Sequence, residues 1–496
     1  MPSPPSKRAR RLLIGLAIAL VVLYLLYVGV AYSFLSTGRL RSLVNKDPDR
    51  TSIEYQSATS FWPGRARVRN LRIRDRDLQA EWMFELDDAR ISFSILGLLR
   101  RRLHATSLSA NGATFRARNR LTPREAGNAE IVARIPPIPG FPDPPRLDPT
   151  ERKPKQTGKE WSIRVDDLDV KAMRELWVNA YRYVGEGRLT GAFRLEPKAA
   201  AEIVRAELTT EGGRLRTGEQ SLAEDVKAKI QGKVEPWDPR EHPGKRMLRF
   251  VTGNAEATAR LGSMDLINEL LGDLAGTRFE RGGGVVAVRG RVERGVAAGS
   301  VDLDAPRLAL RIVDVALRGR LAARVNFSGL DLLKGGATLM GGYLNLTDAT
   351  VSGTGDGARP WWMKVTFLPG RLRPERGVLL TGAVSARARD GRPFLALVEG
   401  LPGWLAKRFD VEDLTGRARV RLGESVVEVE RLTARAGDFR LDGDYRARGA
   451  SRNGTFLVDA GMISVGIGIT GRKTELDVLG PRRWFRQRTG WEPEKD

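Results

Sequence analysis

Two pairs of aspartates are the residues best spaced to do chemistry. Asp302 with Asp304, and Asp442 with Asp444, place two carboxylates on one face of a strand. Carboxylates at this spacing can act as general acid and base. The neighbouring strands are rich in Arg, however, and carboxylates opposite Arg more often form cross-strand ion pairs. We therefore interpret both pairs as structural, and we predict that the protein is not an enzyme.

Other reactive groups are scarce. The chain has no Cys and only two His, His104 and His242, so thiolate chemistry and clusters of imidazole ligands are excluded. The run Gly471-Arg472-Lys473-Thr474 resembles the end of a phosphate-binding loop, but an Arg separates the Gly from the Lys. The glycines from 353 to 357 lack the spacing of a dinucleotide site. We predict no catalytic residue, no metal and no cofactor.

The charge of the chain is strongly positive. Its 83 Lys and Arg outnumber 60 Asp and Glu, which gives a formal net charge of +23. Nucleic-acid sites usually concentrate their basic residues in one patch, whereas here Arg recurs along most of the chain at alternate positions. We interpret the charge as a solvated Arg-rich exterior, with attraction to anionic lipid headgroups or to other envelope polyanions as the alternative, and we predict no nucleic-acid partner.

The N-terminal segment predicts a membrane anchor. Four basic residues between positions 7 and 11 precede an apolar run over 12–35 that includes Leu12, Leu20 and Val30. About 20 residues of helix span the hydrocarbon layer, and the basic tail places the N-terminus in the cytoplasm. The alternative is a signal peptide that is cleaved after Ala31, but such cores are usually shorter.

Beyond the anchor, apolar and Arg residues alternate. The pattern begins at Arg65–Arg74, slips in parity at Asn70, and returns in 307–312, 417–422 and 463–469. Period-two alternation predicts half-buried antiparallel strands, and the slip predicts a β-bulge.

Helical patterns are few. Apolar residues recur at helical spacing from Met264 to Leu274 and from Phe394 to Phe409, each before a block of strands. Between residues 135 and 160, a Pro-rich stretch is incompatible with a helix or a central strand, and we interpret it as an extended linker or a surface strap.

The chain resembles the AsmA-like proteins of the bacterial envelope, within the bridge-like lipid-transfer group. The resemblance rests on the anchor and on four loose motifs, which are Thr37-Gly38-Arg39-Leu40, Ser60-Phe61-Trp62-Pro63-Gly64 before the first alternating strand, Leu96 to Leu99, and a C-terminal block ending at Leu479-Gly480 and Trp484-Phe485. It implies a single-pass inner-membrane protein with its bulk in the periplasm, a groove of antiparallel strands, and phospholipid as cargo.

The expected fold is mainly β, with an N-terminal transmembrane helix followed by an elongated, curled antiparallel sheet that forms a groove and has a few amphipathic helices. The expected segments are a cytoplasmic tail (1–11), the anchor (12–35), an N-terminal β region (36–134), the Pro-rich linker (135–160), a middle β region (161–255), two blocks of helix plus meander (256–392 and 393–480) and a basic tail (481–496).

Two helices cannot cover the apolar faces of so many strands. Either the sheet closes into ordinary sandwiches, or it forms a trough that holds acyl chains. For the trough we predict the following lining residues: Val286, Val288, Leu308, Leu310, Ile312, Val325, Phe327, Val420, Leu422, Ile463, Val465 and Ile467.

Two functions follow from these alternatives. The first is a carrier of phospholipid for envelope lipid transport, which could require an outer-envelope protein partner. The second is an assembly scaffold that binds other proteins through its sheet edges.

Overall fold

The computed structural model describes most of the chain. The residues outside this description are 1–6, 37–44, 46–49, 149, 151–161, 197–199, 239–240, 243, 272–276, 313–314, 352–359, 375–377, 392–408, 410, 424–425, 449–450, 472 and 493–496. The described chain is mainly β, with mostly antiparallel strands and few helices, as the alternating pattern predicted.

The helices are short apart from the first. They are α1 (Lys7–Ser36), α2 (Ile95–Leu99), α3 (Pro123–Ala126), α4 (Ala129–Arg134), α5 (Asp265–Leu271) and α6 (Pro481–Thr489), with a 3₁₀ helix at Gly244–Phe250. Within the residues that the structure describes, no helix is both long enough and apolar enough to cross a membrane. Most side chains in the first half of α1, including those of Leu12 and Leu20, lie outside the description. The anchor therefore stays a prediction.

Twenty-four strands are described. The first twelve are β1 (Thr51–Glu54), β2 (Ser57–Thr59), β3 (Arg65–Arg76), β4 (Ala80–Phe93), β5 (Arg102–Asn119), β6 (Ser162–Val178), β7 (Tyr181–Val184), β8 (Gly187–Leu195), β9 (Ala201–Glu211), β10 (Arg214–Thr217), β11 (Gln220–Trp237) and β12 (Val251–Leu261). The others are β13 (Thr277–Glu293), β14 (Val296–Ile312), β15 (Val315–Asp331), β16 (Ala337–Val351), β17 (Trp361–Pro374), β18 (Val378–Ala388), β19 (Leu414–Gly423), β20 (Val426–Ala436), β21 (Phe439–Arg448), β22 (Ser451–Ala460), β23 (Ile463–Thr470) and β24 (Lys473–Asp477).

The chain divides into two compact units. The first comprises residues 1–220 and 228–252, and the second comprises 221–227 and 253–496. In the first unit, β3 pairs with β1, β2 and β4, and β4 pairs with β5. Strands β5 and β6 are parallel, β6 also pairs with β7 and β8, and β8 pairs with β9.

The parity slip at Asn70 is not the bulge that the sequence predicted. Asn70 has a φ of 48°, yet the register of β3 with β4 continues across it without a shift. Strand β4 changes parity at the same level, since Leu86 and Ala89 share one buried cluster. Further along the sheet, Gly112 in β5 has a φ of 67° and Ala172 in β6 a φ of 54°. Because adjacent strands slip together, no extra residue is needed, and Val68 and Leu71 keep the same face.

The Pro-rich stretch lies on the first unit as a strap where it is described. Ile138 and Phe141 are buried against Met83 of β4, on the side of that strand opposite Leu86. The fully buried Arg118 pairs with Glu81 at 2.7 Å. The guanidinium of Arg118 also donates to two strap carbonyls, at positions 136 and 142, each at 3.0 Å. Residues 151–160 of the predicted linker lie outside the described residues.

The second unit is a continuous antiparallel ladder. From β12 to β24, each strand pairs with the next strand along the chain. The predicted helix after Ser263 is present as α5, whereas the second predicted helix lies outside the described residues except for Phe409. The unit is therefore built from local connections between neighbouring strands.

Candidate functional site

The register of the second unit creates one continuous apolar face. In an antiparallel ladder, residues that are directly opposite each other point to the same side of the sheet. The pairs that carry the face across the ladder are Ala257 with Val288, Val288 with Val301, Val301 with Val325, Val325 with Gly342, Gly342 with Phe367, Phe367 with Val384, Gly382 with Val420, Val420 with Val429, Val429 with Tyr445, Tyr445 with Gly454, and Gly454 with Ile469. We call this surface the apolar face.

Of the twelve predicted trough residues, the eleven whose side chains are described belong to the apolar face, although they were chosen from only five strands. Bulges in β14, between Ala305 and Leu308, and in β17, between Phe367 and Gly370, correct the parity where simple alternation fails. Ile312 pairs with Val315, and its side chain lies outside the description. That the predicted trough residues hold a ligand stays a prediction.

Exposure divides the apolar face into a closed part and a half-buried part. Leu308 and Leu310 are buried at 4% exposure, and Val465 and Ile467 are buried at 1% and 0%. Ile463 lies at a strand end and is 37% exposed. The remaining described trough residues are half-buried, and they are Val286, Val288, Val325, Phe327, Val420 and Leu422.

We call the half-buried part the open band. It also includes residues that the sequence reasoning did not select, namely Val301 and Leu303 on β14 and, on β16, β17, β18 and β20, Leu344, Met363, Val365, Phe367, Val384, Val427 and Val429. The alternation from Met363 to Phe367 is a signal that could have identified β17. In the register pairs that define the apolar face, no charged side chain interrupts the open band between β13 and β20.

A hydrophobic cluster closes the apolar face beyond β20, and helix α5 is attached to β13. At β21 to β23, the apolar face is closed by a cluster that includes the fully buried Phe409, whose ring meets that of Phe439 edge-on at 5.2 Å. At β13, α5 is fixed by Asn268, whose side chain donates to the carbonyl of Phe279 at 2.9 Å and accepts from its amide at 3.0 Å.

The C-terminal helix α6 lies on the other side of the sheet. Trp484 of α6 lies over Gly466 and Gly468, so closely that an added Cβ at Gly466 would be 2.6 Å from the ring. These glycines alternate with Val465 and Ile467, so α6 covers the face opposite the apolar face. The C-terminal helix therefore leaves the open band uncovered.

The opposite face of the second unit carries cross-strand ion pairs. Asp302 accepts a hydrogen bond from Arg324, and Asp304 pairs with Arg320 at 3.2 Å. A hydrogen bond from Arg387, at 2.5 Å, lowers the pKa of Asp413 from its usual value. The two faces of the ladder thus differ sharply in polarity.

The second aspartate pair has different partners from those expected. Asp442 is fully buried and pairs at 2.6 Å with Arg440 of its own strand. Asp444 accepts from the backbone amide of Arg431 at 2.7 Å and from the indole of Trp491 at 3.0 Å. Among the described residues, no group of three or more His, Asp or Glu is placed to hold a metal ion.

The two histidines also have defined surroundings. His104 of β5 shares a 2.6 Å hydrogen bond with Asp166 of β6, and this bond, together with one from Arg164, lowers the pKa of Asp166. His242 packs its ring against Phe250 at 5.1 Å.

The first unit has an apolar face of its own. Its buried centre is formed by Leu86, Ala89, Ala110, Ala113, Val170 and Met173, and partly buried leucines surround it. A cleft of about 510 Å³ opens beside Leu71 and Leu86, and Arg72 and Glu85 form a 2.7 Å ion pair in its lining. The first unit thus repeats the pattern of an apolar face with an ionic outer side.

A comparison of the chain with protein-family models, with curated proteins and with solved structures finds no match.

Proposed function

We propose that the protein is a membrane-anchored, periplasmic lipid-binding protein that carries phospholipid acyl chains on the open band. The observation that carries the proposal is the half-buried, apolar surface shared by successive strands of one ladder. A soluble protein rarely leaves such a large apolar surface in water unless it binds an apolar partner. Acyl chains satisfy this need without requiring any directional contact.

The dimensions of the open band suit several acyl chains. Strands lie about 4.8 Å apart, so the seven intervals between β13 and β20 give a width of roughly 34 Å. Half of a bilayer core is about 15 Å thick, and an extended acyl chain occupies that length. The open band could therefore hold the tails of more than one phospholipid.

The N-terminal sequence supports the location that we propose. The basic tail and the apolar run of 12–35 fit a single-pass anchor of the inner membrane with a cytoplasmic N-terminus. A reporter enzyme fused after Asp496 tests this topology. We expect activity only for reporters that function in the periplasm, and activity only for cytoplasmic reporters would refute the location.

The assembly scaffold is less well supported. It requires a sheet edge that is free to pair, but β24 is a five-residue strand that carries Lys473, Glu475 and Asp477. Short, charged strands are typical of edges that are protected against further pairing. We therefore favour lipid over polypeptide as the ligand.

Lipid analysis of the full-length protein tests the proposed function. The protein is purified from membranes in a mild detergent, and the bound lipid is extracted and quantified by mass spectrometry. We expect phospholipid in molar excess over protein after extensive washing with detergent. Protein that retains no lipid, or that instead retains a stoichiometric polypeptide, would contradict the proposal.

A further inference from the structure

One end of the first unit exposes large apolar side chains. Phe61 is 63% exposed, Trp62 is 65% exposed and Leu96 is 72% exposed. All three lie in short connections, just before β3 or just after β4. Neither the ion pairs of the outer side nor the apolar core of the unit explains their exposure.

Strand pairing brings these connections together. The register places Arg65, at the start of β3, opposite Ser92, near the end of β4. The amide of Phe93 donates to the carbonyl of Gly64 at 2.7 Å and joins the two connections.

Basic residues complete the same end of the sheet. After Leu96, the chain continues through α2 into three consecutive exposed residues, Arg100, Arg101 and Arg102, before β5 begins its pairing with β4. We call Phe61, Trp62, Leu96 and these three arginines the edge patch.

The edge patch contacts helix α1. The ring of Trp62 lies 6.1 Å from that of Tyr24, and the hydroxyl of Tyr27 shares a 2.5 Å hydrogen bond with Ser60. Tyr27 also donates to the carbonyl of Trp62 at 3.2 Å. These contacts show that the edge patch lies beside the part of α1 that contains Tyr24 and Tyr27.

Tyr24 and Tyr27 lie inside the apolar run of α1. Counted from Leu12, the roughly 20 residues that span the hydrocarbon layer end near Val30. Tyr24 precedes Val30 by six residues, which corresponds to about 9 Å at 1.5 Å per residue. Apolar side chains of interfacial segments reach about 5–10 Å into the boundary between headgroups and acyl chains. A loop that contacts Tyr24 would thus lie at the depth where Trp and Tyr are enriched in membrane proteins.

We infer that the edge patch inserts into the surface of the lipid bilayer from which α1 emerges. Phe61, Trp62 and Leu96 occupy the interface, and the three arginines contact anionic phosphate groups of the headgroups. This inference rests on the proposed anchor, and it adds a second attachment that orients the first unit against the membrane.

Spin labels on the full-length protein measure the insertion. Because the chain has no native Cys, single-cysteine variants are specific. The variants are Ala19→Cys in α1, Phe61→Cys and Leu96→Cys in the edge patch, and Met462→Cys, a fully exposed control in the turn before β23. Each protein is reconstituted in vesicles of phosphatidylglycerol and phosphatidylcholine, and the accessibility of the label to oxygen and to a water-soluble nickel complex is compared.

We expect labels at 19, 61 and 96 to be accessible to oxygen and protected from nickel, and the label at 462 to be accessible to nickel. A label at 19 in lipid with labels at 61 and 96 in water would overturn the inference and leave the anchor intact. A label at 19 in water would refute the anchor itself, and the inference with it.

A charge variant tests the arginines. Replacement of Arg100, Arg101 and Arg102 by Ala should raise the nickel accessibility of a label at 96 several-fold in anionic vesicles. The matched control replaces Arg417, Arg419 and Arg421, which are exposed on β19, and should leave this accessibility unchanged. An equal effect of both variants, or of neither, would refute the role of the edge-patch arginines.

Discussion

Two acidic substitutions in the open band should remove bound lipid without unfolding the protein. Val325 and Val420 are half-buried, and the four strand intervals between β15 and β19 separate them by roughly 19 Å. This spacing is close to the length of an extended acyl chain. The double variant Val325→Glu/Val420→Glu therefore leaves little of the band's centre free of charge.

The expected energies differ between lipid binding and folding. An ionised side chain placed among acyl chains costs about 2.5–3.5 kcal/mol, which corresponds to roughly a 70- to 400-fold loss of local occupancy. In the lipid-free protein the carboxylates remain hydrated, so each substitution should lower the free energy of unfolding by only about 1 kcal/mol, the value of part of one Val side chain. At Leu346, which is on the same face and 1% exposed, Glu should cost several kcal/mol.

The assay compares lipid content with stability. Bound phospholipid is quantified by mass spectrometry, and unfolding is followed in urea for the double variant, for Leu346→Glu, and for Asn326→Glu/Thr415→Glu. The last variant adds the same charge on the opposite face of β15 and β19. We expect lipid loss only in the first variant and severe destabilisation only in the second. If the double variant is as unstable as Leu346→Glu, the band is an ordinary packed core and the reasoning fails.

Three further predictions concern the ionic residues. Burial alone would raise the pKa of Glu175, but hydrogen bonds from Arg116 and Arg182, the second at 2.6 Å, lower it. The ionised carboxylate of Glu175 therefore stabilises the fold above about pH 4.3, and this stabilisation is lost as the pH falls. Glu175→Gln should therefore lower stability by about 1–3 kcal/mol at pH 7, with the difference vanishing at lower pH in thermal unfolding. Arg118→Met removes the 2.7 Å partner of Glu81 and should lower the free energy of unfolding by about 3–5 kcal/mol. Hydrogen exchange in the strap should become faster, and unchanged exchange would show that Arg118 does not hold the strap. Asp302→Asn breaks the ion pair with Arg324 and should lower the free energy of unfolding by under about 1 kcal/mol. An enzymatic activity that is measured in the wild type and disappears in this variant would show that the protein is an enzyme.

Local patterns predicted the strands of the fold well, because each alternating segment records which side of the sheet is buried. Val325 and Val420 could be assigned to one face from sequence alone. The strands between them were harder, since Gly342, Gly370 and Gly382 occupy apolar-face positions and weaken the alternation. At Gly342 an added Cβ would lie 2.2 Å from the carbonyl oxygen of Arg324, so close strand packing requires the glycine.

Tertiary packing accounts for what the sequence could not predict. Leu310 and Val325 have the same local pattern, yet Leu310 is buried and Val325 is half-buried, because exposure depends on distant residues. The same holds for Arg118, which alternates like any solvated Arg of β5 but becomes buried under the Pro-rich strap. Periodicity therefore identifies the apolar face, whereas the limits of the open band require the structure.

Photocrosslinking in cells tests the central claim most directly. A benzoylphenylalanine residue replaces Val288, Val325 or Val420 in the open band, or Asn326 on the opposite face as the matched control. We expect phospholipid adducts, detected by mass spectrometry, at all three band positions and none at 326. Adducts with protein alone, or equal lipid labelling at 326, would contradict the claim that the open band holds acyl chains.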